Sequence, residues 1–110
     1  MIKHLLDKWT HWIGDRSLER AIQAELRRMG CAVHAAKIRR PRLIGIERPG
    51  WVQVRRFEVE TLTPGKQPIT LQGLIRDDGR RERPQVLLTT DLRLLSHRAD
   101  EWCDGLIRRG

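Results

Sequence analysis

The apolar positions of this chain change their spacing twice. Over residues 1–13, "MIKHLLDKWTHWI", Ile2, Leu5, Leu6, Trp9, Trp12 and Ile13 recur at helical intervals. That spacing predicts a first helix whose broad apolar side carries two indoles. Gly14 stops it, and Asp15 or Ser17 can cap a second helix with Leu18, Ile22, Leu26 and Met29 on its apolar side. Asp15 and Glu19 near its start and Arg27 and Arg28 at its end suit the helix dipole, and Gly30 closes it. A helical pair is therefore expected over residues 1–29.

After Gly30 the pattern shortens to runs rich in Val, Ile, Leu and Thr: "CAVHAAKI", "RLIGIE", "WVQVRRFEVETL", "QPITLQGLIR" and "PQVLLTT". Pro41, Pro49-Gly50, Pro64-Gly65 and Asp78-Gly79 separate them, and the last pair is a favoured hairpin tip. An antiparallel meander of four or five strands is expected over residues 31–90. From Asp91 onward, Leu92, Leu95, Ala99, Trp102 and Leu106 fall at alternating steps of three and four, which predicts a closing amphipathic helix over residues 91–109. Ser96 is an alternative cap for it, with Leu92 to Leu95 then left as strand and Arg108 and Arg109 placed late in the helix. The expected fold class is α+β, one domain over residues 1–110: two N-terminal helices, the meander, and a C-terminal helix packed on the sheet, with the helices on one face. No internal repeat or low-complexity linker divides the chain.

The run "RRPRLIGIERPGWVQVRR", residues 39–56, folds back on itself. Pairing Ile46 with Val52 and Ile44 with Val54 puts four apolar side chains on one face. The loop is then Glu47 to Trp51, preferred to a shorter Arg48 to Gly50 loop that would put Pro49 at a disfavoured turn position. The same register sets Arg42 opposite Arg56 and Leu43 opposite Arg55. Val52 and Val54 are out of phase with Phe57 and Val59, and a bulge at Arg55-Arg56 would bring both pairs to the buried face. Arg39, Arg40, Arg42, Arg55 and Arg56 then converge at the open end of the hairpin. Like charges across a ladder cost about 0.2 to 1 kcal/mol, so an anion between them is one explanation of the arrangement. Neutralisation by Glu58, Glu60 or Asp77, or a merely solvated face, is the other.

Composition sharpens this reading. With 110 residues the chain suffices for one hydrophobic core. Its formal net charge of +8 and pI near 10.9 favour acidic partners, although an arginine bias can also follow from a GC-rich genome. Residues 31–60 carry 7 basic against 3 acidic side chains, whereas residues 91–110 balance at 4 and 4, so the excess centres on the hairpin. Trp51 is the only stacking candidate there, and no recognition-helix pattern, aromatic RNA-binding strand motif or zinc spacing supports sequence-specific reading.

Other constellations carry less chemistry. His4, Asp7 and His11 share one side of the first helix, but the histidines stand two turns apart, too far to close on one ion, so no metal is expected. His97, Asp100 and Cys103 run along one helix, where side chains lie parallel, and no phosphate loop, nucleophile elbow or paired-acid arrangement is visible. Neither an enzyme nor a cofactor is expected. Cys31 and Cys103 lack metal or redox spacing and read as free, buried thiols in a reducing, cytoplasmic setting, and no stretch reaches the length of a transmembrane segment.

The stretch "RADEWCDGLIRR", with Trp102 central, resembles the final helix of pleckstrin-homology domains over about a tenth of the chain. The resemblance implies that family's fold and lipid-head-group binding, and two helices ahead of the strands depart from its pattern. The leading expectation is a small basic non-enzymatic domain that binds an anionic partner, nucleic-acid backbone above all, through the hairpin arginines. The alternative is a protein-interaction or self-association module using Trp9 and Trp12 of the first helix. A membrane-surface adaptor ranks third.

Overall fold

The computed structural model describes residues 16–47, 52–78 and 83–109, apart from the side chain of Ser17. The expected first helix, with Trp9, Trp12, His4, Asp7 and His11, lies outside them, as do Asp15, Trp51 and the Asp78-Gly79 tip beyond Asp78. In chain order the elements are α1 (Arg16–Arg28), β1 (Lys37–Glu47), β2 (Val52–Leu62), β3 (Pro68–Asp77), β4 (Gln85–Thr89), α2 (Leu92–Trp102) and β5 (Ile107–Arg108). The strands form one antiparallel sheet in the order β4-β3-β2-β1-β5. The fold is α+β.

Helix α1 follows its apolar pattern. Leu18, Ile22 and Leu26 are buried, Glu19 lies in the first turn and Arg27 and Arg28 in the last. Because the helix begins at Arg16, Ser17 lies within it and is not its cap. The end is a Schellman motif: Cys31 N–H donates to Leu26 O at 2.9 Å, Gly30 N–H to Arg27 O at 3.0 Å, and Gly30 takes φ +77°. Cys31 and Leu26 then bury together, the apolar contact typical of this motif. The expected strand from Cys31 does not form. Residues 31–36 are turn and irregular backbone, and β1 starts at Lys37 and runs through Pro41.

The principal correction concerns layers. The helices cover opposite faces of the sheet, not one. On one side α1 packs Leu18, Ile22 and Leu26 against Phe57, Val59, Leu71, Ile75 and Leu88. On the other, α2 packs Leu95 and Trp102 against Ile44, Val54 and Leu74. Leu74 and Ile75 are adjacent in β3 and must point to opposite faces, and both are essentially inaccessible, at 0% and 1%. The phase change in β2 follows directly. Val54 faces α2, Phe57 and Val59 face α1, and β2 stays regular against β3 from Gln53↔Asp77 to Leu62↔Pro68, so no bulge occurs at Arg55-Arg56.

The irregularities fall in β1. Pairing with β2 runs Lys37↔Glu60 to Arg39↔Glu58, shifts, resumes at Arg42↔Arg56 and Leu43↔Arg55, then shifts again before Gly45↔Val54, Ile46↔Gln53 and Glu47↔Val52. Arg40 and Pro41 make the first irregularity, two residues where β2 has the single Phe57, with Arg40 at φ +52°. The expected Arg42–Arg56 and Leu43–Arg55 pairs form. The Ile44–Val54 and Ile46–Val52 pairs do not, because Ile44 is itself the extra residue of the second irregularity. Since Glu47 pairs with Val52, the connection is residues 48–51, between the two loop lengths considered.

Helix α2 is shorter than its periodicity suggests. Asp91 caps it, its Oδ1 accepting from Arg93 N–H at 2.9 Å and Leu94 N–H at 3.2 Å, so Ser96 is not the cap and Leu92 to Leu95 are helical. The helix ends at Trp102. Cys103 and Asp104 bond back to Ala99 O and Glu101 O, Gly105 takes φ +79°, and the chain reverses. Ile107 and Arg108 then pair with Ile46 and Gly45 of β1, so Arg108 and Arg109 leave the helix altogether. Among the described residues, no helix is long and apolar enough to cross a membrane.

Candidate anion-binding cleft

The reversal at Gly105 brings the C-terminal segment beside β1. Arg109 N–H donates to Ile44 O at 2.9 Å, which fixes the backbone of the last described residue against the second irregularity of β1. Between this segment, β1, β2 and α2 lies a cleft of about 260 Å³. Ile44, Leu95 and Ala99 are its apolar residues, and Arg42, Arg56, Arg108 and Arg109 its cations. Ser96 and Asp100 of α2 complete it.

Each arginine arrives for a local reason. Arg42 and Arg56 face α2 because they pair directly in the register that follows the Arg40–Pro41 irregularity. Arg56 also lies opposite Leu74, the α2-facing residue of β3. Arg108 is set by its pairing with Gly45, a position that must be glycine. A Cβ there would stand 2.8 Å from the Cys103 Sγ. Asp100 lies beside Arg108, with Nη1 to Oδ1 at 3.2 Å, a half-exposed pair worth at most about 1 kcal/mol. Among the described residues, Arg42, Arg56 and Arg109 make no ion pair and no side-chain hydrogen bond.

The five hairpin arginines therefore divide. Arg42 and Arg56 meet in the cleft. Arg39 and Arg40 sit farther along the same strand, where Arg39 Nε lies 3.3 Å from Glu60 and Arg40 Nη1 lies 3.9 Å from Glu58. Two of the acidic side chains expected to offset the cluster thus act on its outer members only. Arg55 points to the other face, opposite Ile75, and its Nη2 donates to Gln53 Oε1 at 2.7 Å. Adjacent residues of a regular strand cannot share a face, so without the bulge Arg55 and Arg56 must separate.

Arg108 and Arg109 were missed because they balance acidic neighbours in sequence and fall in a helical periodicity. Asp104-Gly105 was the available signal, a breaker dipeptide inside that periodicity.

The other candidate residues are held apart. His97 Nε2 contacts Glu101 at 2.8 Å, Asp100 contacts Arg108, and Cys103 is the buried C-cap of α2. Burial pushes the Cys103 thiol up, with Asp100 acting the same way and Arg108 and Arg76 opposing. Both cysteines are free thiols and buried. Trp102 is buried, with the Arg98 guanidinium 5.9 Å from its ring centroid, and offers no open stacking face at the cleft.

No protein-family model, curated protein or solved structure matches this chain.

Proposed function

We propose that this protein is a non-enzymatic domain that binds nucleic-acid backbone through the cleft of Arg42, Arg56, Arg108 and Arg109. The carrying observation is that four arginines from two strands and the C-terminal segment line one concavity, with Asp100 the one carboxylate residue lining it among the described residues. Bringing like charges together is unfavourable, and a phosphate group offsets that cost, two of its oxygens accepting parallel hydrogen bonds from a planar fork. Contacts of this kind give affinity and register without reading sequence. Ala99, the partly exposed apolar residue of the lining, suits the carbon face of a sugar.

Binding of the full chain to short single- and double-stranded oligonucleotides across a salt series tests this. Four contacts give a log-affinity slope of about −3 on single strands and nearer −4 on duplex. Arg42→Glu with Arg56→Glu should roughly halve the slope while leaving the melting temperature within a few degrees, since both side chains are partly or fully exposed. A slope unchanged by this double reversal, or no binding at low salt, refutes the proposal.

A further inference from the structure

The shape of the cleft separates two ways of meeting a phosphate chain. A protein that tracks a strand lays cations along an open groove, so that successive phosphodiesters each meet one. Here the four arginines line a single concavity between β1, β2, α2 and the C-terminal segment. The concavity has a volume of about 260 Å³. That is room for one phosphoryl group and the sugar attached to it.

Charge points the same way. Four guanidinium groups against the Asp100 carboxylate leave the cleft strongly positive. An internal phosphodiester carries one negative charge, whereas a phosphomonoester carries about −1.5 to −2 at neutral pH and offers three terminal oxygens instead of two. The extra oxygen gives one more acceptor to the forks of Arg42, Arg56 and Arg109, which make no ion pair and no side-chain hydrogen bond among the described residues. Asp100, 3.2 Å from Arg108 Nη1, is the residue that positions the Arg108 guanidinium beside α2.

We infer that the cleft is an end-recognition site, taking the terminal phosphomonoester of a nucleic-acid strand in preference to its internal phosphodiesters. This rests on the backbone-binding reading above and narrows it. The phosphate sits among Arg42, Arg56, Arg108 and Arg109, the terminal sugar packs on Ala99, and the rest of the strand leaves over the exposed part of β1 toward Arg39 and Arg40.

The test is fluorescence anisotropy of the full chain with one internally labelled oligonucleotide sequence in three forms: 5′-phosphorylated, 3′-phosphorylated and with both ends free. Adenosine monophosphate and adenosine serve as competitors. One additional charge-assisted contact predicts about tenfold tighter binding of a phosphorylated end at pH 7.5. The preference should shrink at pH 5, where the monoester loses its second charge, since its second pKa is about 6. Arg56→Gln should reduce the preference, and Asp100→Asn should weaken it through Arg108, with melting curves confirming that both variants fold. Adenosine monophosphate should compete and adenosine should not. Equal affinity for all three oligonucleotides overturns the inference, and a surviving arginine-dependent salt slope would then leave backbone binding intact. Binding of adenosine monophosphate without any oligonucleotide binding overturns strand recognition itself and assigns the cleft to free nucleotides.

Discussion

Gly73→Ala is the most direct test of the two-faced sheet. Gly73 sits in the middle of β3, between Phe57 of β2 and Leu88 of β4. In an open strand this replacement would stabilise by about 0.5 to 1 kcal/mol, because glycine gives up more backbone freedom on folding. Here the new Cβ would lie 2.3, 2.5 and 2.8 Å from Cε2, Cζ and Cδ2 of Phe57. Carbon atoms prefer about 3.5 to 4.0 Å, so the ring must move by more than about 1 Å. It has little room, since it is 1% exposed and shares the α1-side core with Val59, Leu71 and Ile75 at 0%, 1% and 1%. Overpacking a filled core costs about 1 to 3 kcal/mol, and a clash against a confined ring belongs near the top of that range. The net expectation is a loss of about 2 kcal/mol. For a domain of this size that is a drop of about 8 °C in melting temperature. Urea denaturation followed by circular dichroism reads it directly. Phe57→Leu supplies the control, because Gly73→Ala added to Phe57→Leu should cost less than it does alone, the shortened side chain having left space for the methyl group. A Gly73→Ala protein as stable as its parent, or additive costs in the double variant, would mean that Phe57 does not lie across Gly73 and that the α1-side packing is wrong.

Two further outcomes follow from the placement of single residues. Arg55→Glu should leave oligonucleotide binding within about threefold, whereas Arg56→Glu should weaken it by about tenfold or more, because removing one charge-assisted hydrogen bond to a phosphate costs about 1.5 to 3 kcal/mol; equal effects would place both on one face. Cys103 should resist iodoacetamide at pH 8 and react only as urea unfolds the chain, because burial holds its thiol neutral. The stability linked to this proton is fully present below the unfolded thiol pKa and is lost as pH rises through the raised folded value. Fast alkylation of the native protein would contradict the packing of Cys103 against Gly45.

What the sequence made legible was periodicity within one element. The apolar side of α1 and the strand runs follow from spacing, because each is decided by neighbours a few residues away, whereas the Arg42–Arg56 pairing forms only because the extra residue at Ile44 restores the register on which it was expected. What it hid was which face each run serves. Alternation in a strand reports burial of one face, and Val52 to Val59 break it. A bulge and a change of covering helix produce the same string of letters, and only the position of α2 distinguishes them. The C-terminal error has a similar cause. Leu106 continues the spacing of Leu92, Leu95, Ala99 and Trp102 and does pack with the α2-side core, but from beyond the helix, where Leu106 N–H bonds to Cys103 O at 2.9 Å. An apolar residue reaches a core equally well from a further helical turn or from a reversal, so the pattern alone could not place Arg108 and Arg109. The candidate site was accordingly half visible: its β1 and β2 arginines were foreseen and its C-terminal ones were not.

The irregular course of β1 ties the fold to the cleft. An edge strand with exposed N–H and C=O groups invites pairing with another chain, and short partners, prolines and bulges suppress it. β1 carries all three. β5 pairs with it only at Gly45 and Ile46, Pro41 has no N–H to offer, and Arg40 at φ +52° interrupts the extended backbone. A left-handed conformation at a residue with a side chain costs about 1 to 3 kcal/mol and persists only where its surroundings enforce it. Here the conformation has a positional consequence. Without the irregularity at Arg40 and Pro41, continuing the Arg39↔Glu58 register would set Arg42 opposite Arg55 and turn it toward α1, away from Arg56. The extra residue at Ile44 is the one whose carbonyl accepts from Arg109 N–H at 2.9 Å. The first irregularity aims one cation into the cleft and the second anchors another beside it. The same local departures that protect the edge of the sheet therefore also assemble the charge, and an insertion or deletion in β1 would disrupt the cleft while leaving β2, β3 and β4 paired.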